Sequence, residues 1–466
     1  IGNNNSGNTG VNNFLFGNSI IGTSGSNNFI CGNSLSIAAI DTSVILSSAF
    51  TGNTLSQSVV IGDGSANAID SGTITAIGYR AGYKSVGTSS NTYIGNVSGY
   101  NNISGEFNTA IGRYSLYTST GDENTSCGSQ SFYANSGSYS STFGSRSYFG
   151  GGDKGSAFGY RALFAGSNNS CGFGYQAGDG NSGIGNSFFG YDSGASSFGN
   201  YMVGFGFEAL NSANQDEIIG VGYRAVFQST GNNLGIGSRS LEAVIGGTRN
   251  TAIGYHAGMI MTASNSTYLG YNAGAGDDIT SNNVVIGMNS YLNGGTGSRN
   301  IFIGAECANV RSAMTDCVGI GYESLGINVS ALQCIGLGAY ALNDITSAIN
   351  NVIATGYLSG GNSSGNGCLF YGTESGRYNS GNNNIIFGNG SISYSSAYNG
   401  TESTYIGHGI APTLLNGSSN VFIGNGIRSA GSGFPSNCIF IGRNNSVNTD
   451  FTNTISLGTL AFTNCL

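Results

Sequence analysis

Residues 250–258 read Asn-Thr-Ala-Ile-Gly-Tyr-His-Ala-Gly, and this stretch decides the fold because it recurs. Variants stand at 91–99 (NTYIGNVSG), 108–116 (NTAIGRYSL), 266–274 (STYLGYNAG), 300–308 (NIFIGAECA) and 420–426 (NVFIGNG). With Gly254 as register zero, equivalent glycines run from Gly17 to Gly458 in steps of 15 to 19 residues, apart from one step of 30 between Gly32 and Gly62. A degenerate copy at Val44-Ile45-Leu46-Ser47 accounts for the double step. Position −1 is apolar in almost every copy, +2 is mostly polar, and +3 is Ala, Ser or Cys in every copy from Gly62 to Gly388. That alternation is the mark of a short strand. The rest of each repeat is rich in Ser, Gly, Asn, Thr and Asp, which favour turns. One or two short strands per period of about 16 residues make one coil of a solenoid, each coil pairing with its neighbours at roughly 4.8 Å. The sequence therefore predicts an all-β, parallel β-solenoid or β-roll of about 29 coils, without helix. The glycine at zero suits a close backbone approach or a positive φ.

Composition agrees. Of 466 residues 81 are Gly, 8% are charged and 11% aromatic, with two Pro and no Trp. Collagen needs Gly at every third residue and abundant Pro. Disordered chains are poor in aromatics and rich in charge. A net charge of −8 without a basic run argues against nucleic acid as a partner. No apolar run is long enough to span a membrane, so no membrane insertion is expected. Nine Cys without a CxxC pair give neither a zinc site nor a disulfide framework. Cys317 and Cys334, at equivalent repeat positions, read as small buried hydrophobes. The chain opens at Ile1-Gly2 in mid-motif and reads as a mature product or a fragment.

The repeat divides the chain into degenerate coils at 1–61, a regular shaft at 62–391, and irregular coils with longer loops at 392–466. In the last segment the small +3 residue is mostly lost and both Pro412 and Pro435 occur. Position −2 is often apolar as well, at Val285, Phe302, Ile386, Phe422 and Phe440. Strands apolar on both faces are buried on both faces. The expectation is that −1 fills the chain's own core and that −2, including Val285, Phe302, Phe422 and Phe440, fills an interface between copies. The six copies with Gly at −2 (Gly172, Gly204, Gly220, Gly235, Gly319 and Gly336) then narrow that interface.

The Asn-Thr-Ala-Ile-Gly-Tyr-x-Ala-Gly pattern resembles repeats in the tail fibres of bacteriophages and other large viruses. It is also similar to the heads of YadA-type trimeric autotransporter adhesins. The resemblance implies a left-handed homotrimer on a virion or outside a cell, used for attachment. The expected function is a non-enzymatic virion fibre that adheres to a host-surface receptor, a glycan being one such receptor. A bacterial surface adhesin and a purely structural extracellular filament are the alternatives.

Four G-x-G-x-x-A runs, beginning at Gly172, Gly204, Gly220 and Gly336, mimic a dinucleotide fingerprint but are the repeat with Gly at −2. No catalytic, cofactor-binding or metal-ligating set emerges. His256 and His408 occupy ordinary outer positions, and the acidic pairs Asp216-Glu217 and Asp277-Asp278 lie in spacers. Position +1 is aromatic in consecutive copies at Tyr160, Tyr175, Tyr191, Phe207 and Tyr223. These predict a ladder of rings roughly 5 Å apart, either packed structurally or offered as a platform for sugars. The charged +2 row (Arg146, Arg161, Asp192, Glu208, Arg224, Arg239) is a solvated face or a set of pairs between chains. The spacers at 343–350 and 391–403 are candidate receptor-contact loops.

Overall fold

The computed structural model describes the chain except residues 3, 23, 49, 69–71, 87–89, 167, 277–280, 294, 310–312, 327–329, 393–398, 411–416, 430–434, 448–451 and 461–466. Asp277-Asp278, Pro412 and much of the 391–403 spacer lie outside the described residues. The chain forms two compact units, Ile1–Gln228 and Ser229–Leu466. Each is a parallel β-solenoid with a repeat of about 16 residues, and among the described residues there is no helix. Each unit contributes fourteen described strands of one kind to its main sheet, one strand per coil. Pairing is in register throughout: Thr109, Ala110 and Ile111 face Thr125, Ser126 and Cys127. The degenerate copy is a strand, Val44–Leu46, paired with Phe29–Cys31 and Val59–Ile61.

Strand length changes along the chain. In the N-terminal coils a second sheet carries the seven-residue strands Leu35–Asp41 and Phe50–Ser56. From residue 74 to 387 the main-sheet strands are only three or four residues long. Near the C-terminus Thr404–His408, Val421–Asn425 and Ile439–Arg443 run straight through the motif glycine.

The expected facing of the strand is inverted. Position −2 points into the core of its own chain: Val285, Phe302, Ile386, Phe422 and Phe440 are completely buried in a single copy. They therefore cannot supply an interface with another copy. Position −1 is the one turned outward, as at Ile111, Phe143, Ile253 and Ile320, all exposed. The physical reason is that the interior accepts only one side chain from each three-residue strand, the middle one.

What fills the core is a pairing of −2 with +4. In four coils where −2 is a ring, the +4 residues of its own and the preceding coil are glycines, whereas Phe302 packs against Tyr291 at +4 of the preceding coil, with centroids 5.1 Å apart. Tyr93 lies against Gly82 and Gly99, Phe188 against Gly178 and Gly194, Tyr268 against Gly258 and Gly274, and Phe370 against Gly360 and Gly376. A Cβ at Gly99 would sit 2.3 Å from the Tyr93 ring. Where −2 is Gly, a large residue at +4 fills the space: Leu163 beside Gly172, Leu210 beside Gly220, and Leu325 beside Gly319 and Gly336. The interior keeps near-crystalline density because the two positions share one volume. The glycines at −2 thus accommodate the chain's own leucines and narrow no axis.

The small +3 residues are buried throughout the shaft, for example Ala81, Ser115, Ala209 and Ser375. The motif glycine needs both properties expected of it. Gly254 has φ +139°, and a Cβ there would lie 2.3 Å from the carbonyl oxygen of Gly270 in the next coil.

At position −4 a column of buried Asn ties the coils together. Asn91 donates through Nδ2 to the Gly105 carbonyl (2.9 Å), and its Oδ1 accepts the Asn108 N–H (2.7 Å). Asn108 repeats this with Gly121 and Asn124 (both 2.9 Å). Replacing Asn108 with Ala leaves the Asn124 N–H and the Gly121 carbonyl buried without partners, an expected loss of about 2–4 kcal/mol in chemical unfolding. Asn108→Ser is expected to cost less than half of that. Ser140 and Ser266 already hold the same position, their hydroxyls accepting the N–H of the next coil. Equal stability of the Ala and Ser variants would contradict this account.

Candidate functional site

Chemistry on the outside of the solenoid is organised in columns parallel to the stacking direction. The −3 and −1 residues form the outer face of the main sheet. In the first unit it carries a column of phenylalanines, Phe143, Phe158, Phe173, Phe189 and Phe205, with ring centroids 4.6–5.8 Å apart. In the second unit the column is aliphatic apart from Thr355, Tyr371 and Phe387, and the −3 column joins it: Ile301 and Ile303, Val318 and Ile320, Ile335 and Leu337. Ile301 is 39% and Ile320 41% exposed.

The predicted +1 ladder is present. Tyr160, Tyr175, Tyr191, Phe207 and Tyr223 stack at 5.3, 4.8, 5.0 and 5.6 Å, with planes within 22° of parallel. Each is 39–45% exposed. Their exposure is at the edges: a ring stacked on both neighbours has its faces covered. Sugars stack on ring faces, so the interior rungs Tyr175, Tyr191 and Phe207 offer no stacking platform. What they offer is a line of ring edges, with phenol hydroxyls at Tyr175 and Tyr191.

The +2 charges find partners within their own chain. Arg224 pairs with Glu208 at 3.3 Å, Arg161 with Asp179 at 2.9 Å, and Arg239 with Glu242 at 3.7 Å. Arg146 donates through Nε to Gln130 Oε1 (3.0 Å). Asp192 is half-buried, and its loss of solvent together with Glu208 and Asp179 raises its pKa above the usual carboxylate range. These contacts remove the need for partners across a subunit boundary.

The remaining candidates resolve into structure. His256 stacks on Tyr255 at 3.8 Å, and burial lowers its pKa. His408 is an exposed residue at the end of the strand Thr404–His408. Asp216 caps the backbone of Asn200 (2.8 Å). Cys317 and Cys334 are buried in the Asn column, and the Cys317 N–H bonds Asn300 Oδ1 at 2.9 Å. Each G-x-G-x-x-A run leads from a strand into tight turns rather than a helix. Among the described residues no three His, Cys, Asp or Glu side chains are grouped to hold a metal ion, and no helix is long and apolar enough to cross a membrane.

Sequence reading missed one column. At position +5, Tyr83, Tyr100, Tyr117, Tyr133, Phe149 and Phe164 form a second stack, with centroids 4.8–5.4 Å apart. Cations lie against it: Arg80 over Tyr79 and Tyr83, Lys84 over Tyr100, and Arg161 over Phe164 at 4.5 Å. The signal was available, since six consecutive copies carry an aromatic five residues after the motif glycine. No protein-family model matches this sequence, and no curated protein matches it at a significant level.

Proposed function

We propose that the chain is a non-enzymatic structural fibre of a virion, assembled from three copies and displayed outside the cell to adhere to a host surface. The observation that carries this reading is the outer face of the main sheet. The inner face of the main-sheet strands is already filled by the chain's own core, yet the −1 column stays apolar from coil to coil in each unit except at Thr355. The −1 side chains are half-buried to exposed, with Ile111, Phe143, Ile253 and Ile320 about 40% exposed, so each unit presents a continuous apolar ribbon of a kind that marks an interaction surface. A second copy of the same ribbon, with the same coil spacing, is the surface that matches it in length and period. The likeness of the repeat to viral fibres and adhesin heads supplies the number three and the attachment role.

The test is the mass of the assembled protein by light scattering, which should be three times that of the chain. Ile301→Asp with Ile320→Asp is expected to yield single chains of unchanged circular dichroism, since both side chains are exposed in one copy. A wild-type protein that stays monomeric at micromolar concentration sinks the proposal.

A further inference from the structure

The +1 column changes character along the second unit. Tyr255 and Tyr271 stack on each other at 5.3 Å with planes 9° apart, as in the ladder of the first unit. Farther on, three successive coils read Tyr322, Ala339 and Tyr357 at +1, so the middle rung is missing. Tyr322 and Tyr357 are 42% and 49% exposed. The side chain that follows Ala339, Tyr340 at +2, turns toward the vacant place. Its ring meets Tyr322 at 5.3 Å and 83°, and Tyr357 at 5.9 Å and 88°. Two coil spacings separate the outer rings by about 9.6 Å, so the Tyr340 centroid lies roughly 3 Å to one side of the line between them. The three rings bracket a space beside Tyr340 that no rung of the ladder fills. Tyr340 stands perpendicular to its neighbours, so neither of them stacks on its faces.

Negative charge borders this bracket. Glu306 and Glu323 hold position +2 in the two coils before Tyr340. The Tyr322 hydroxyl donates to Glu323, and that bond, the loss of solvent and the charges of Glu306 and Glu323 together raise the Tyr322 pKa. Asn343 donates through Nδ2 to Glu323 Oε2 at 3.4 Å. Both glutamates are half-buried, and neither belongs to an ion pair among the described residues. Arg377, one coil beyond Tyr357, pairs with Glu374 at 3.6 Å. Among the described residues the two carboxylates have no third acidic, His or Cys side chain with which to hold a metal ion.

We propose that Tyr322, Tyr340 and Tyr357 form a cage for a quaternary ammonium ion. A trimethylammonium group midway between the outer rings lies about 5 Å from each of their centroids, inside the distance of about 6 Å over which a ring attracts a cation. Such a group has no N–H to donate, so it loses little on leaving water and gains from aromatic surroundings. A primary ammonium is more strongly hydrated and keeps its water. The carboxylates of Glu306 and Glu323 supply counter-charge at the edge of the cage, which a neutral sugar ring would not use. All three rings belong to one chain, so the proposal goes beyond the fibre reading and does not depend on assembly.

The experiment titrates choline into the whole protein by calorimetry, beside its neutral isostere, in which a tert-butyl group replaces trimethylammonium, and beside methyl glucoside. Choline is expected to bind, and the isostere to bind about tenfold more weakly or not at all, since only the charge differs. Tyr340→Leu should weaken choline binding about tenfold or more, whereas Tyr340→Phe should stay within about twofold of wild type. Leu358 already holds this register with φ 54°, against 57° for Tyr340, so the fold tolerates leucine there. The double variant E306Q/E323Q should weaken binding about threefold or more. Absence of choline binding, equal binding of the isostere, tighter binding of the glucoside, or a Tyr340→Leu or E306Q/E323Q protein that binds choline as well as wild type each overturns the proposal. So does a changed assembly mass in Tyr340→Leu, which would assign the rings to contact between copies. The mass of the wild-type assembly reports separately on the fibre reading.

Discussion

Phe422→Asp is expected to unfold the C-terminal coils of the second unit. The ring is fully buried between Tyr405 and Phe440, stacked at 5.0 and 5.1 Å. Losing it removes about 3–5 kcal/mol of packing, and an unpaired carboxylate in its place adds several kcal/mol of desolvation cost. Coils in a solenoid rely on their neighbours, so the damage should spread to Tyr405 and Phe440 before it reaches distant coils. Limited proteolysis should then cut the chain beyond residue 400 while leaving the first unit intact. Phe422→Leu should cost only about 1–2 kcal/mol. The distinction from an interface residue is the concentration dependence. A core lesion is present at every dilution, whereas an interface lesion only shifts the mass. A variant that resists protease like wild type and merely fails to assemble would contradict the placement of Phe422.

Gly190→Ala is expected to be nearly as damaging, although it adds one methyl group. Gly190 has φ +133°, and the new Cβ would lie 2.3 Å from the carbonyl oxygen of Gly206. Neither backbone can move alone, because Gly206 stands in the same relation to Gly222. A loss above about 3 kcal/mol should follow, from strain at a disfavoured φ plus the separation of two coils. Gly246→Ala is the control. It also has a positive φ, +82°, but nothing within 4 Å of the added atom, so a loss near 1 kcal/mol is expected. Denaturant midpoints of the two variants decide the matter. Similar shifts would mean that φ alone, and not the nesting of glycine on glycine, requires this residue.

The period, the parallel stacking and the ladder of +1 rings were legible because each rests on a residue type recurring at one register. Gly254 and its equivalents, Ala257 and its equivalents, and Tyr160 to Tyr223 each announce themselves in a column. The direction of the strand was not legible, and the reason is physical. Position −1 is apolar in every copy but that of Thr355 although it is turned outward, so it imitates a core position. Position −2 ranges from Gly172 to Ala252 to Phe302 because it shares its volume with +4. No single column shows this; only the two read jointly do.

The reciprocity of −2 and +4 also bears on how such a chain avoids a particular error. Identical coils can slip past one another by a whole repeat, since every backbone bond re-forms after the shift. Here a slip would bring Tyr93 out of the hollow made by Gly82 and Gly99 and set it against larger side chains such as Leu116 or Phe132. Phe188, Tyr268 and Phe370 meet the same obstacle elsewhere. The irregular core acts as a set of addresses written into a monotonous backbone, so that each coil closes only on its proper predecessor. A chain re-engineered to carry one consensus coil throughout would lose those addresses. It should refold as a mixture of slipped forms even where each coil, taken alone, is more favourable.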